Sequence, residues 1–331
     1  MRFHGSWALS ALVCVAFASM GGCKETEKPV SGTVLRPAEV NMAGYEQVVL
    51  EPIQGEGGDL ITARLRQRLV EAKFVVLDRQ SMKTRDREKT LGDLGQAAPS
   101  DTPTPKVMTA AVVIRGSVNV HDFTPMTNTK VVTNTQTGRS WTQYQATGAA
   151  KVDVAFEIVD LQTTKTIAAP FLKGEDHGAS DWSDSPTRLD PKPMFRIACD
   201  GVVAQFMQAV ASHSEQFSSF LYLDDKNTAN TTGVGLFATA EYGGAAKEFE
   251  SAVAFAKAQP EVKSETLARL THNIGLAYEF AGDDKMAVAA YKGAIVINSE
   301  KTLAQQSINR CAQRSADAKK LKEQGISTGS K

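Results

Sequence analysis

Several features that define large classes of protein are scarce or missing in this sequence. Four cysteines occur in 331 residues, and the two that lie beyond the N-terminal segment are far apart, which is not the pattern of a disulfide framework. Lysine plus arginine and aspartate plus glutamate both number 37, so no field of one sign attracts nucleic acid or an anionic bilayer. No apolar run approaches the about 20 residues of a transmembrane helix. A polytopic membrane protein is therefore excluded.

Catalytic motifs are scarce as well. Nucleophilic catalysis needs a serine or cysteine beside a positioned base, yet no G-x-S-x-G sequence occurs. The chain has four histidines after the N-terminal segment: His121, His177, His213 and His272. His213 ends a predicted helix, where the dipole favours a cation, and His272 lies in a helical repeat, so both have structural explanations. We therefore expect that the protein is not an enzyme.

Two short segments bear on cofactor and metal binding. Gly55–Asp59 is rich in glycine, but no Lys-Ser/Thr pair follows and its acidic side chains would repel phosphate, so Asp59 is interpreted as a helix N-cap. Glu175-Asp176-His177, with Asp181 and Asp184 close behind, could bind a divalent cation, but its spacing matches no calcium or zinc motif. We interpret it as a solvated loop. No cofactor and no metal site are expected.

The remaining composition is that of a folded protein. Apolar residues make up 42%, charged residues 22% and aromatic residues 7% of the chain, which excludes disorder throughout. A length of 331 residues exceeds one ordinary domain and predicts two.

The N-terminus has the plan of a secretion signal. Arg2 provides the positive start, Trp7–Met20 is apolar apart from serines, and small residues precede Cys23. This end resembles the lipobox of bacterial lipoproteins, in which the cysteine becomes residue one and carries lipid. The resemblance implies a lipid anchor at Cys23. Lys24, where an inner-membrane retention signal has aspartate, implies the outer membrane and a protein that faces the periplasm. The alternative is an ordinary signal peptide with an incidental cysteine.

The next region alternates between strand and helix patterns. The strand candidates are Val48–Ile53, Lys73–Asp78, Ala110–Asp122, Val152–Ile158 and Thr166–Leu172. One helix is predicted from the apolar face of Ile61, Leu65 and Leu69, and another from a stripe between Phe195 and Val210. Cys199 lies on that second stripe and is interpreted as a small buried hydrophobe. The order predicts an α+β fold, a mixed sheet with packed helices.

Two sequences in this region carry a family resemblance, Phe74-Val75-Val76-Leu77-Asp78-Arg79 and Val113-Ile114-Arg115-Gly116-Ser117-Val118. With the order of strands and helices around them, they resemble the curli-secretion lipoprotein family (CsgG-like) over roughly Val48–Ser212. The resemblance implies the fold and, through the family's oligomers, a secretion pore as an alternative function. The family's membrane hairpins correspond to Thr124–Ala149 and Lys173–Leu189. Both are rich in polar residues, and we expect neither to line a bilayer.

A helical repeat is predicted in the C-terminal region, which resembles the tetratricopeptide (TPR) pattern of small residues at helix crossings and aromatics between them. Its repeat-packing residues are Gly275, Tyr278, Gly282, Ala287, Tyr291 and Ala294. A second copy lies 42 residues earlier, with Gly233, Leu236, Ala240, Ala245, Phe249 and Ala252 at the corresponding positions. A capping helix is predicted from the stripe Ala304, Ile308, Cys311, Ala312, Ser315 and Ala318.

These patterns predict five segments along the chain. They are a lipoprotein signal peptide (1–22), a lipidated cysteine with a tether (23–44), a CsgG-like α+β domain (45–218), a linker (219–232) and an all-α module of TPR-like helical hairpins with its capping helix (233–322).

The predicted function is that of a periplasm-facing outer-membrane lipoprotein, acting as a protein-binding adaptor or scaffold in cell-envelope assembly or secretion. The TPR-like module would present a groove to an envelope or secretion protein, with Asn273, Leu276 and Glu279 as its partner-binding residues. The alternatives are an oligomeric CsgG-type secretion pore component and a lipoprotein regulator of an envelope enzyme. Each of these functions is compatible with a homo-oligomer. No nucleic-acid partner is expected.

Overall fold

A computed structural model describes residues 27–45, 47–78, 111–298 and 302–326. The strands are β1 (Glu27–Arg36), β2 (Gln47–Leu50), β3 (Val75–Asp78), β4 (Ala111–Thr133), β5 (Ser140–Asp160), β6 (Thr166–Ala168), β7 (Phe171–Ala179) and β8 (His213–Tyr222). The helices are α1 (Gly58–Glu71), α2 (Lys192–Val210), α3 (Thr228–Ala238), α4 (Tyr242–Lys257), α5 (Ser264–Phe280), α6 (Asp284–Ile297) and α7 (Thr302–Glu323). The predicted α+β class is confirmed. Cys23 lies outside the described residues.

The described chain forms two compact units. The α+β unit consists of residues 33–217 together with 310–326, and the helical unit consists of residues 27–32 together with 218–309. The boundaries fall inside β1, β8 and α7, so each of these elements contributes residues to both units. β1 and β8 pair as a two-stranded sheet.

The α+β unit is built on a six-stranded mixed sheet. Its strands follow the order β3-β2-β4-β5-β6, and β7 is also paired with β5. β2 is parallel to β3 and to β4, whereas β4 and β5 are antiparallel. The parallel pair β2–β3 follows from helix α1, because parallel neighbours need a crossover connection between them.

One face of this sheet holds the core of the α+β unit. Alternate residues of β5 point to it, and they pack against apolar stripes of α1 and α2. The buried members include Val152, Val154, Phe156 and Ile158 of β5, Ile61, Leu65 and Leu69 of α1, and Cys199, Val202 and Phe206 of α2. The period-two pattern of the strand and the helical stripes predicted from the sequence therefore meet in one layer of side chains.

A register shift just after Val118 changes which residues of β4 face this core. Before the shift Val118 lies opposite Val154, and after it His121 lies opposite Val152. Since side chains alternate along a strand, the shift moves odd-numbered residues of β4 onto the face that the helices cover. His121 accordingly stacks on Phe195 of α2, with 3.8 Å between the ring centroids.

The β4–β5 hairpin continues beyond the part of the sheet that β7 reaches. β4 and β5 stay paired as far as Thr133 and Ser140, whereas β7 pairs with β5 only as far as Thr147. The sequence-based end of this strand at Asp122 is therefore wrong. The extra length places side chains of the distal hairpin in solvent on both faces, including Met126 and Val131.

Two local predictions near polar residues are also corrected. Glu175-Asp176-His177 was predicted as a loop, but these residues lie in β7 and pair with β5. Asp59 was predicted as an N-cap, but the N-cap of α1 is Gly57, at φ 80°, with no side-chain capping bond. Glycine suits that position because the left-handed region penalises residues with a Cβ atom. Asp59 instead supplies a negative charge in the first helical turn.

Two segments predicted to be irregular contain regular structure. The predicted tether (23–44) contains the whole of β1, and the predicted linker (219–232) contains the end of β8 and the start of α3. Most side chains of β1 are exposed, and Val34 is its buried residue. The strand therefore needs no apolar run, and its sequence shows none. Strand pairing with β8 stabilises it instead.

The helical unit is dominated by two helical hairpins, α3–α4 and α5–α6. Helix α5 is the most enclosed of the helices in these two hairpins, with every residue of Leu270–Ala277 buried. In α7 the buried stripe differs from the predicted one, since Ile308, Ala312 and Ser315 are not buried. The buried residues of that helix are Ala304, Ser307, Cys311, Asp317 and Leu321.

Candidate protein-binding and membrane-facing surfaces

The two helical hairpins repeat one close contact between a glycine and an aromatic ring. A Cβ atom added to Gly275 would lie 2.6 Å from the ring of Tyr291, and one added to Gly233 would lie 2.6 Å from the ring of Phe249. Both residues of the second contact precede those of the first by 42 positions. The hairpins therefore share a packing geometry that needs glycine on one helix and an aromatic residue on the next.

The other predicted repeat-packing residues lie around this contact. Ala287 and Ala294 of α6 are fully buried, as are Ala245 and Ala252 of α4, their counterparts in the earlier copy. Small side chains at these positions allow the helices of each hairpin to approach closely. Gly282 follows the end of α5 at φ 83°, which turns the chain toward α6.

Two tyrosines of the later hairpin also form hydrogen bonds. The hydroxyl of Tyr291 donates to Glu279 at 2.6 Å, and both residues are buried. The hydroxyl of Tyr278 donates to Glu250 of α4 at 2.8 Å. This hydrogen bond raises the pKa of Tyr278 above its usual value, with desolvation and the Glu250 charge acting in the same direction. The bond therefore connects the two hairpins.

The three predicted partner-binding residues are all enclosed. Asn273, Leu276 and Glu279 are fully buried in α5. Leu276 belongs to the hydrophobic core of the helical unit, and Glu279 accepts the hydrogen bond of Tyr291. In this structure none of the three offers its side chain to a partner in solution.

Asn273 instead holds the end of β8. Its side-chain oxygen accepts from the backbone N–H of Tyr222 at 2.9 Å, and its amide nitrogen donates to the carbonyl of Tyr222 at 2.9 Å. Asn230 of α3 accepts from the backbone N–H of Asp224 at 2.9 Å. Side chains of α3 and α5 therefore hold the end of β8 and the residues just after it. Sequence periodicity gave no signal for this contact, because it joins residues 51 positions apart.

The exposed sides of α4 and α6 carry apolar residues. Phe255 of α4 is 52% exposed, and on α6 Met286 is 43% and Val296 is 87% exposed. These side chains lie outside the buried faces of their helices. They are available to a partner in a way that the predicted residues are not.

A small cavity lies where β1 begins, within the helical unit. It has a volume of about 190 Å³ and is lined by Glu27, Phe220, Tyr222, Arg269, His272, Thr302 and Leu303. The Arg269 guanidinium lies 5.3 Å from the ring centre of Tyr222. It also pairs with Glu265 at 2.8 Å and with Glu27 at 3.6 Å. The cavity is thus aromatic on the β8 side and charge-balanced on the α5 side.

The candidate nucleophile Cys199 is buried, and the candidate metal ligand His177 is exposed. Cys199 is buried in the core of the α+β unit, and desolvation raises the pKa of its thiol to about 11, assisted by the charge of Asp200. A thiol with that pKa is protonated near neutral pH and is a poor nucleophile. His177 is exposed on β7, 3.4 Å from Glu175. Within the described ranges, no three metal-binding side chains cluster together.

No described helix is both long enough and apolar enough to cross a membrane. The predicted lipidation at Cys23 remains a prediction, since that residue is outside the described part of the chain.

No protein-family model matches this chain, and no curated protein matches it. Among solved structures, it is similar to the PelC dodecamer from Paraburkholderia phytofirmans at 12% identity and a TM-score of 0.25, over 55% of this chain and 98% of that one. A minor lipoprotein from Acinetobacter baumannii has 15% identity and a TM-score of 0.24, over 50% of this chain and 91% of that one. Lipoprotein GNA1162 from Neisseria meningitidis has 11% identity and a TM-score of 0.23, over 48% of this chain and 96% of that one. Scores this low transfer no property of those proteins to this chain.

Proposed function

We propose that the protein is a lipid-anchored, non-catalytic adaptor of the bacterial envelope that binds a protein partner through its helical unit. The observation that carries the proposal is the glycine–aromatic contact repeated 42 residues apart, at Gly233–Phe249 and Gly275–Tyr291. Stacked hairpins of this TPR-like kind expose extended surfaces that suit protein binding. Cys199, which is buried, is given no catalytic role in this proposal.

The partner surface in this proposal differs from the predicted groove. Because Asn273, Leu276 and Glu279 are enclosed, the partner is placed on the outer sides of α4 and α6. Phe255, a large apolar residue that is half exposed there, resembles the aromatic anchors on which binding energy concentrates in interfaces.

Site-specific photo-crosslinking in cells tests this surface. A photoreactive amino acid is placed at Phe255 or Val296, and the same residue is placed at Val70 of α1 as a control with 57% exposure in the α+β unit. We expect one dominant protein adduct from the two helical positions and little of it from the control. Equal adducts from all three positions would remove the helical unit as the partner surface.

The anchor rests on the lipobox-like sequence before Cys23 and is located at the outer membrane, facing the periplasm. The Cys23→Ser variant cannot be acylated at this residue and should move from the membrane fraction to the soluble periplasmic fraction. Mass spectrometry of the unaltered protein should show the added acyl mass on residue 23. If the variant stays in the membrane fraction in the same amount, the anchor proposal is wrong.

A CsgG-type secretion pore component is a second candidate function, favoured by the length of the distal hairpin. Thr124–Thr133 and Ser140–Ala149 are fully paired, and a membrane-spanning strand needs about 9 to 11 residues. The side chains argue against it. Asn128 and Lys130 share one face with the two glutamines opposite them. The other face of β4 carries Thr127, Thr129 and Thr133, so neither face is continuously apolar. We therefore retain the adaptor as the function best supported.

A further inference from the structure

The start of β1 limits how far the folded protein can lie from its anchor. β1 begins at Glu27, four residues after Cys23. Four residues span at most about 14 Å, even when fully extended. The predicted tether of 22 residues would have allowed a much greater distance. If Cys23 carries lipid, the surface around Glu27 must therefore lie close to the headgroups.

The surface at this end of the helical unit has the composition of a membrane-facing one. Along β8, Ser219 and Leu221 are buried, whereas Phe220 is 42% exposed and Tyr222 is partly exposed. The alternation directs Phe220 and Tyr222 to the same side of the strand. Both line the cavity that contains Glu27. Two aromatic residues therefore lie beside Glu27, where the described chain begins.

We propose that this surface, formed by Phe220, Tyr222 and the α5 residue Arg269 and called here the β8-end surface, rests in the headgroup region of a phospholipid bilayer. The inference depends on the lipid anchor of the proposed function. Aromatic side chains with an apolar body and a polar edge are favoured at membrane–water interfaces. The aliphatic part of an arginine can lie on apolar surroundings while its guanidinium reaches the headgroups.

Charge is not the main source of this contact. Arg269 is already paired with Glu265 and Glu27, so the β8-end surface carries little net charge. Anionic lipid would add little attraction, and the contact should change little with salt concentration. The anchor itself supplies the high local concentration of bilayer that lets a weak contact form.

A matched reference position is available at the other end of α5. Met286 is 43% exposed, compared with 42% for Phe220. It lies in the first turn of α6, directly after the turn that follows Phe280. Arg269 precedes Phe280 by 11 residues, which corresponds to about 16 Å along the axis of α5. Met286 is therefore equally exposed but distant from the β8-end surface.

Tryptophan quenching by brominated lipid tests the proposal. The acylated mature protein, with Trp141 and Trp182 replaced by phenylalanine, receives a single tryptophan as Phe220→Trp or Met286→Trp. Each variant is reconstituted into vesicles of phosphatidylethanolamine and phosphatidylglycerol with brominated acyl chains. We expect quenching several-fold stronger at position 220 than at position 286, and nearly the same in low and high salt. Equal melting curves for the two variants establish that both are folded.

The outcomes separate this inference from the anchor. Acylation confirmed by mass spectrometry with equal or absent quenching at the two positions would overturn the β8-end surface and leave the anchor standing. An unacylated Cys23 would overturn the anchor and this inference with it. Stronger quenching at position 286 would show that a different side of the helical unit faces the bilayer, which also contradicts the proposal.

Discussion

Gly233 and Gly275 show how a single missing methyl group sets the distance between two helices. At both positions an aromatic ring occupies the space that a Cβ atom would need. The ring of Tyr291 cannot easily move away, because it is fully buried and its hydroxyl is bound to Glu279. The contact therefore fixes the α5–α6 hairpin through shape, and the buried hydrogen bond fixes the orientation of the ring.

A pair of glycine substitutions separates this contact from helix propensity. Gly275→Ala should destabilise the protein by about 1–3 kcal/mol, because the added methyl group overpacks the ring of Tyr291. Gly235→Ala, in α3, adds a methyl group with no atom within 4 Å and should stabilise the helix by about 0.5–1 kcal/mol. Thermal melting of the full mature protein measures both. A rise in melting temperature for both variants would mean that the packing contact is not strained by a Cβ atom.

At the scale of single residues, the sequence predicted the spacing of the repeat-packing residues better than it predicted the contacts of the polar residues between them. The spacing of Gly275, Ala287 and Tyr291 indicates the repeat because aromatic residues make up only 7% of the chain and recur at a fixed distance from small ones. Asn273 and Glu279 were predicted to face a groove because of their positions in the repeat pattern. Their burial depends on partners from elsewhere, the end of β8 for Asn273 and Tyr291 for Glu279. No periodicity within one helix can reveal such partners.

Among the elements, strands with polar or small side chains were the hardest to predict. β4 continues past Asp122 through a segment rich in threonine, which favours strands but gives no apolar alternation. The pairing with β5 along that whole segment stabilises it instead. β5 was predicted only from Val152, where one face becomes buried and the alternation becomes visible. Helices α1 and α2 were predicted because their apolar stripes face the core directly.

The distal hairpin leads to a prediction about conductance. Lipid-facing positions of a membrane strand must be apolar along one face. On one face of this hairpin Asn128 and Lys130 lie opposite Gln145 and Gln143, and on the other β4 carries three threonines. The second region of the resemblance, Lys173–Leu189, contains β7 only as far as Ala179. We expect that the acylated protein added to planar bilayers gives no stepwise current. Reproducible single-channel steps that disappear on deletion of residues 124–149 would favour the pore over the adaptor.

At the scale of the whole molecule, chain order does not match spatial grouping. Helix α7 was predicted as a cap for the helical repeat, yet its residues from Arg310 onward group with the α+β unit. The contacts responsible connect residues nearly the whole chain apart. Asp317 accepts from Arg36 at 2.7 Å, and the Gln324 side chain bonds both the N–H and the carbonyl of Ala38. Side chains that meet across about 280 positions leave no trace in local patterns.

We therefore expect two polar contacts, from Asp317 and from Gln324, to stabilise the C-terminal half of α7. Both can be removed without changing a residue of the helical hairpins. Asp317 is only 2% exposed, and replacing it with alanine in the double variant Asp317→Ala, Gln324→Ala removes its bonds to Arg36 and Gln313. Hydrogen bonds to charged groups contribute about 1.5–3 kcal/mol each. The double variant should therefore lose a large part of the free energy that stabilises the C-terminal half of α7.

Hydrogen exchange of the full mature protein reports where that loss falls. We expect faster exchange of the backbone amides of residues 310–326 and of Ala38, whose N–H donates to Gln324. The amides of α5 should exchange at an unchanged rate. Gln305→Ala is the matched control, because that side chain bonds only to exposed Asn309 within the same helix. Faster exchange throughout α3–α6 in the double variant would instead mean that the whole of α7 serves the helical repeat as a cap.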